Sequence, residues 1–187
     1  FIRIIPVKEK TWIVESFNLY YFDQKTIQPV IGFDPHKVST QKQSLPFFIS
    51  AAIDLNGDLW LGTKFHGLFR INPDKDSYEN FYHPGGNLNS PEFGEFIYSL
   101  FCDDSGRIWY GSENFGYYDY QKGQFFNFST DKDLPDSDIK VKSTQAIAQS
   151  KDGNLWLGTE KNGIAVISAN HEKLTFIKSL TTSNGLA

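Results

Sequence analysis

Hydrophobic residues in this chain alternate with polar ones over short runs that end at turn-forming residues. Between positions 48 and 83 the runs are FISAAID, DLWLGT, LFRI and YENFYH, separated by NG, KFHG and NPDKDS. Alternation with a period of two is typical of half-buried strands, and no segment has the apolar spacing of an amphipathic helix. We therefore predict four antiparallel strands here, with Asn56-Gly57 as a tight turn whose two central residues both have positive φ.

The second-strand segment belongs to a phrase of twelve residues that occurs three times. It reads NGDLWLGTKFHG from position 56, SGRIWYGSENFG from 105 and DGNLWLGTEKNG from 152. A looser fourth copy surrounds TWIVES near the start of the chain. The four tryptophans are separated by 48, 49 and 47 residues: Trp12, Trp60, Trp109 and Trp156. A period in the high forties indicates a repeat architecture in which each unit packs on the next.

Four antiparallel strands per repeat at this period are typical of a propeller blade. We predict an all-β fold, a β-propeller of about four four-stranded blades with approximate limits 1–47, 48–95, 96–142 and 143–187. Propeller rings usually close with about four to eight blades, so we expect this chain to be part of a larger ring of about seven. It begins with Phe and contains no Met, which favours a segment of a longer protein.

An open arc of blades would expose a sheet face at each end, and soluble monomers rarely expose such large apolar patches. We therefore expect either self-association of two arcs through their open edges or a strained closure of four blades.

Two kinds of position repeat with the phrase and are predicted to be structural. The tryptophan offers a large face to the next blade, and a glycine two residues later lets backbones approach near the axis. The glycines are Gly62, Gly111 and Gly158. We expect the hydroxyl residues that follow them, Thr63, Ser112 and Thr159, to bond to neighbouring backbone.

The turns between second and third strands differ in sequence from repeat to repeat, whereas the glycines on either side of them keep their spacing. Propellers bind ligands at such loops, so the side chains there are candidate ligand contacts. They are Lys64, Phe65, His66, Glu113, Asn114, Phe115, Glu160, Lys161 and Asn162. The aromatic rings are suited to stacking on sugars, and the amides and charges to bonding hydroxyls. The alternative is that these tips are merely solvated.

No metal site, cofactor or catalytic residue is predicted. The linker TDKDLPDSDIK carries Asp131, Asp133, Asp136 and Asp138, but it lacks the glycine of an EF-hand loop, which favours a solvated acidic loop over a Ca²⁺ site. The four histidines lack metal-ligand spacing: His36, His66, His83 and His171. Nucleophile-elbow, zinc-protease and phosphate-loop motifs are absent from the sequence.

Composition narrows the classes of partner. The 187 residues are 40% hydrophobic and 16% aromatic, with a net charge of −4, and they carry no basic stripe for nucleic acid. No apolar run approaches the roughly 20 residues of a membrane span, so direct membrane contact is not expected. The single cysteine, Cys102, excludes an internal disulfide and fits a small buried hydrophobe.

The phrase D-x-x-G-x-[LI]-W-x-G-[TS], followed by x-x-x-G-[LI], resembles the two-component regulator propeller repeat, and SNGLA at 183–187 resembles the spacer before a further blade. Three copies match well and the first only loosely. The resemblance implies a periplasmic sensor segment of a hybrid two-component system of the Bacteroidetes type. Such sensors typically detect oligosaccharides and signal to a histidine kinase, here outside this chain. The chain itself is then not an enzyme.

Two other functions remain open at this stage. One is a propeller lyase or hydrolase that uses Glu113 or Glu160 with His66. The other is a protein-binding scaffold, for which the acidic surface and aromatic tips are equally suitable.

Overall fold

A computed structural model describes residues 2–7, 10–30, 45–72, 75, 77–81, 96–128, 141–170 and 173–186. Within these residues the chain forms sixteen strands in four sheets and no helix. In every sheet the strands are hydrogen-bonded to their neighbours in chain order, and all pairs are antiparallel. The prediction of an all-β chain with four four-stranded blades is confirmed.

The strands of the four sheets, called blades 1 to 4, have the following bounds. Blade 1 contains β1 (Ile2–Val7), β2 (Lys10–Glu15), β3 (Leu19–Phe22) and β4 (Ile27–Pro29). Blade 2 contains β5 (Phe47–Ile53), β6 (Leu59–Lys64), β7 (Leu68–Asn72) and β8 (Ser77–Asn80). Blade 3 contains β9 (Ser99–Cys102), β10 (Ile108–Gly111), β11 (Phe115–Asp119) and β12 (Gln124–Phe128). Blade 4 contains β13 (Thr144–Gln149), β14 (Leu155–Thr159), β15 (Ile164–Asn170) and β16 (Lys173–Leu180).

The loops between first and second strands differ from the predicted two-residue turn. Gly57 N donates to Asp54 O at 3.0 Å and Asp54 N donates to Asp58 O at 3.1 Å, which leaves a three-residue loop. Only its glycine has a positive φ, +91° at Gly57. The equivalent glycines behave alike, with +85° at Gly106 and +83° at Gly153. Positive φ at both central residues was therefore a wrong prediction, because a turn followed by a left-handed glycine closes these hairpins.

The two faces of a blade pack against different neighbours. Because successive side chains of a strand point to opposite faces, Leu59 and Leu61 lie in the core shared with Trp12 of blade 1. Trp60, between them, lies in the core shared with Tyr110 of blade 3. The pattern repeats one blade later, where Trp109 packs with Leu155 and Leu157 of blade 4. Trp12, Trp60 and Trp109 thus each face the blade that follows their own.

First strands of successive blades contact one another and define the axis of the arc. Ser50 Oγ donates across this contact to Ile97 O at 2.6 Å, and Ser99 Oγ to Thr144 O at 2.9 Å. A Cβ at Gly62 would lie 2.7 Å from Ile97 Cγ2, and one at Gly111 would lie 2.2 Å from Thr144 O. Neighbouring blades therefore approach closely at these two glycines, as their place in the phrase predicts.

The end blades each expose one sheet face. Ile2, Ile4 and Ile27 of blade 1, on the face away from Trp12, are 70%, 66% and 61% exposed. Trp156 of blade 4 is only half-buried. Among the described strands, no contact between blades 1 and 4 is as extensive as those between successive blades. The described residues include no helix long and apolar enough to cross a membrane.

Candidate functional site

The turns between second and third strands lie at one end of the sheets, opposite the hairpin loops that carry Gly57 and its equivalents. In blade 2 the hydroxyl of Thr63 donates to Gly67 O at 2.7 Å and accepts from His66 N at 3.0 Å. In blade 4, Thr159 makes the same pair of bonds to Gly163 O and from Asn162 N, at 2.9 and 3.0 Å. These hydroxyls bond to neighbouring backbone, as expected, and they fix a common five-residue turn.

The turn of blade 3 is two residues shorter than the other two. Gly111 pairs directly with Phe115, so only residues 112–114 form the loop, whereas Gly62 pairs with Leu68. Ser112 Oγ donates to Asn114 O at 2.6 Å and accepts from Asn114 N at 3.0 Å. The glycine at 116, which aligns with Gly67 in the phrase, therefore lies inside β11 and not in a turn.

Phe115 does not belong to the tip, which corrects the prediction. Its side chain is 1% exposed and stacks on Trp109, with ring centroids 5.1 Å apart and an interplanar angle of 18°. Burial of this ring in the core between blades 3 and 4 draws Phe115 into the strand and shortens the turn. It cannot contact a ligand at the surface.

His66 is likewise buried, at 5% exposure, and this too corrects its prediction as a surface contact. Its Nδ1 lies 3.1 Å from Lys64 O. Its Nε2 is buried and has no hydrogen-bond partner within the described part of the chain. A buried polar atom without a partner is rare in folded proteins.

The other seven predicted contacts remain at the tips. Glu113, Glu160, Lys161 and Asn162 are exposed. Lys64, Phe65 and Asn114 are partly exposed. The turns therefore present two carboxylates, two amides, two ammonium groups and an aromatic ring on a shared backbone frame.

Two aromatic residues at this end were not predicted, Phe96 and Tyr98. They precede β9, and Ile97 between them donates its N–H to Thr63 O at 3.1 Å. Phe96 packs on Phe65 with a centroid separation of 5.5 Å, and Tyr98 stacks on Phe96 at 5.5 Å and 3°. The signal in the sequence is the alternation FIY ahead of the first strand, but its contact with a turn some thirty residues earlier depends on blade packing.

The hairpin-loop end of the blades is held together by buried carboxylates. Asp103 accepts from Trp109 Nε1 at 2.7 Å and pairs with Arg107 Nε at 2.6 Å. Burial acts to raise the pKa of Asp103, but the bonds from Trp109 and Ser105 and the charge of Arg107 outweigh it and lower the pKa. Arg107 also donates to Ala169 O of blade 4 at 3.2 Å, so this pair joins two blades.

Blade 2 has an equivalent buried carboxylate. Asp54 accepts from Trp60 Nε1 at 2.8 Å and from the hydroxyl of Tyr120 in blade 3. Burial, together with the bond to Asp54 and its charge, raises the pKa of Tyr120. Arg70 lies 4.8 Å from the Tyr120 ring and pairs with the buried Asp58 at 2.6 Å. These charges have partners within the protein and act as structural contacts between blades.

The Cys102 thiol is a weak acid in this structure. Burial, followed by the negative charge of the nearby Asp103, raises the pKa of the Cys102 thiol to about 11. The reactive thiolate is therefore scarce at neutral pH.

The described residues contain no cluster of His, Cys, Asp or Glu suited to a metal ion. Asp131, Asp133, Asp136 and Asp138 lie outside the described residues, as do His36, His83 and His171.

Two segments of the chain match a known repeat family. Residues 91–114 and 137–161 match the family model described as "Two component regulator propeller". These two matches confirm the resemblance to the two-component regulator propeller repeat seen in the sequence. Comparison with curated protein sequences gives no significant match.

Solved structures share the fold. The extracellular domain of BT3049 from B. thetaiotaomicron, described as a hybrid two component system, superposes with a TM-score of 0.72 at 16% identity over 98% of this chain and 24% of that one. The extracellular domain of BT4673 gives 0.65 at 19% identity, over 98% and 22%. A virginiamycin B lyase from Staphylococcus aureus gives 0.59 at 15% identity, over 95% and 55%.

At these sequence identities the structural likeness establishes the fold alone, which is a β-propeller. The chain spans about a quarter of the length of the two extracellular domains.

Proposed function

We propose that this propeller is the ligand-sensing segment of a two-component sensor, that it lies in the periplasm, and that it recognises an oligosaccharide. The two repeats matched by the family model support a sensor. The extracellular domains of BT3049 and BT4673, which share the fold, support a position outside the cytoplasm.

The observation that carries the proposal is the contrast between a constant backbone and variable side chains in the turns between second and third strands. Thr63 and Thr159 hold their turns with the same two hydrogen bonds, while the residues between them and the following glycines differ from blade to blade. A constant frame with variable tips is how repeat proteins build binding surfaces. The variable residues all lie at one end of the sheets, so a single extended ligand can contact several blades.

The chemistry of the tips is suited to a sugar. The side chains of Asn114 and Asn162 carry both donors and acceptors for hydroxyl groups, and Glu113 and Glu160 add acceptors. The ring of Phe65 can cover the apolar face of a pyranose. None of these groups belongs to the buried networks at the hairpin-loop end.

Signalling follows from differential affinity. A ligand that contacts several blades stabilises the blade arrangement that it fits, and it can shift a conformational equilibrium only by that difference in affinity. The shifted arrangement would be read by a histidine kinase outside this chain.

The proposed role is binding without catalysis. The acid–base pair considered for a lyase, His66 with Glu113 or Glu160, is not formed within the described residues, because His66 is buried and the hydrogen bond of its ring is with backbone Lys64 O. Cys102 is a poor nucleophile for the reason given above.

The test is a thermal-shift screen of the chain against plant and host oligosaccharides, followed by calorimetry and by chromatography of each incubated sugar. We expect at least one oligosaccharide to raise the melting temperature and to be recovered intact. Release of unsaturated or shortened products would overturn the sensor proposal and show that the chain is a lyase or a hydrolase. Binding of protein partners with no sugar affinity would favour the scaffold.

A further inference from the structure

The turn of blade 2 differs from the turns of blades 3 and 4 in charge and in aromatic surroundings. Lys64 follows Thr63 directly, and glutamates stand at the equivalent positions, Glu113 and Glu160. Lys64 also forms an isolated bridge with Phe96, which brings the residues before β9 against this turn. The tip of blade 2 therefore combines a cation with aromatic rings, a composition that the tips of blades 3 and 4 lack.

The ammonium group of Lys64 is held over two rings. Its Nζ lies 4.8 Å from the centroid of Phe65 and 5.0 Å from that of Phe96. Attraction between an ammonium group and ring faces restricts the long side chain at a partly exposed site. No carboxylate within the described residues is close enough to form an ion pair with Lys64. The charge is positioned and available to a counter-ion from outside.

The backbone of the same turn is unusual. Phe65 has φ of +71°, a conformation that large side chains rarely adopt. Such backbone outliers cluster at functional sites, where surrounding structure maintains them. Here the conformation places the ring beside Phe96 at 5.5 Å.

We propose that Lys64, Phe65 and Phe96 form a subsite for an acidic sugar, one whose ring carries a carboxylate. The ring packs on the aromatic side chains and the carboxylate pairs with Lys64. This inference rests on the proposed function and specifies the class of sugar and the blade that reads its charge.

The test compares two trisaccharide pairs by calorimetry: α-1,4-linked galacturonate and β-1,4-linked glucuronate, each beside its carboxyl-reduced analogue. We expect the chain to bind one of the uronates about fivefold or more tightly than the reduced form, with the preference falling as salt rises. The variant Lys64→Gln keeps most of the side-chain stem and should lose the preference. Lys161→Gln removes an exposed cation from the tip of blade 4 and should retain it.

A second variant separates binding from folding. Phe65→Gly suits the positive φ and should fold at least as well as the parent chain, yet bind the preferred uronate about fivefold or more weakly. Equal affinity for the uronate and reduced sugars, or an unchanged preference in Lys64→Gln, would overturn the acidic-sugar subsite while leaving a neutral-sugar sensor intact. Failure of every oligosaccharide, neutral or acidic, would overturn both proposals.

Discussion

The carboxylate of Asp103 accepts a 2.7 Å hydrogen bond from the indole Nε1 of Trp109, six residues later in the same blade. Asp54 and Trp60 form the same bond at 2.8 Å. In blade 4, Ser150 takes the place of the aspartate, and its Oγ lies 3.3 Å from Trp156 Nε1. This bond gives a physical reason for the D-x-x-G-x-[LI]-W phrase, because a buried indole N–H needs an acceptor and the hairpin loop supplies it.

Removing the side chain that accepts the indole hydrogen bond should cost more stability where the bond is more deeply buried. Asp103→Ala leaves Trp109 Nε1 without its acceptor and Arg107 without its carboxylate, so we expect a loss of about 3 kcal/mol in the free energy of unfolding. The matched change Ser150→Ala removes a long bond at a partly exposed site and should cost less than about 1 kcal/mol. Urea denaturation followed by tryptophan fluorescence measures both. Similar losses in the two variants would contradict this account of the phrase.

Acid should weaken the fold partly through the same carboxylate. The pKa of Asp103 is lower in the folded chain than in the unfolded chain, so protonation favours unfolding. Its stabilising effect is complete above the unfolded pKa of about 4 and is lost as the pH falls towards the folded value. We expect the parent chain to lose more stability between pH 7 and pH 3 than Asp103→Asn does. Equal losses in urea denaturation at the two pH values would show that this group is not responsible.

The glycine after the tryptophan should be indispensable only where a following blade is packed on it. A Cβ at Gly111 would lie 2.2 Å from Thr144 O, while one at Gly158 would meet Ala146 Cβ at 3.6 Å, an ordinary contact. We expect Gly111→Ala to destabilise the chain by about 2 kcal/mol or more, through overpacking. Gly158→Ala should be neutral or slightly stabilising. Thermal and urea unfolding would decide, and equal effects would refute close blade contact as the reason for the glycine.

The end faces should cause the chain to self-associate. At each contact between successive blades, the tryptophan face of one blade packs against an aliphatic or aromatic face of the next. The two end blades leave one face of each kind uncovered, near Trp156 and near Ile4. We expect light scattering coupled to size-exclusion chromatography to report about twice the 21.3 kDa of the chain. Ile4→Asp should yield the monomer. Leu55→Asp, at a 69% exposed leucine of a hairpin loop, should not. A monomeric parent chain would contradict this expectation.

Most of the blade architecture could be predicted because it is encoded locally. Alternation of polar and apolar residues marks the strands, and the spacing of Trp60, Trp109 and Trp156 fixes the repeat. The hairpin loops were located correctly, but their conformation was not, since Asn-Gly is compatible with more than one turn and the ladder bonds decide between them.

The tip residues were predicted less well because packing between blades decides which of them reach the surface. Phe115 has the same sequence context as the exposed turn residues, yet its stacking on Trp109 draws it into a strand and shortens the loop. His66 is buried although it lies in a turn. Phe96 joins the tip only because β9 packs beside β5 and β6. No local pattern in the sequence reports such contacts.

The central claim is that ligand binds at the turns between second and third strands, and hydrogen exchange with mass spectrometry tests it most directly. The chain would be compared with and without the oligosaccharide that gives the largest thermal shift. The account predicts slower exchange at residues 63–67, 112–114 and 159–163, with little change at the hairpin loops 54–57, 103–106 and 150–153. Protection confined to those hairpin loops would place the ligand at the opposite end of the propeller and contradict the account.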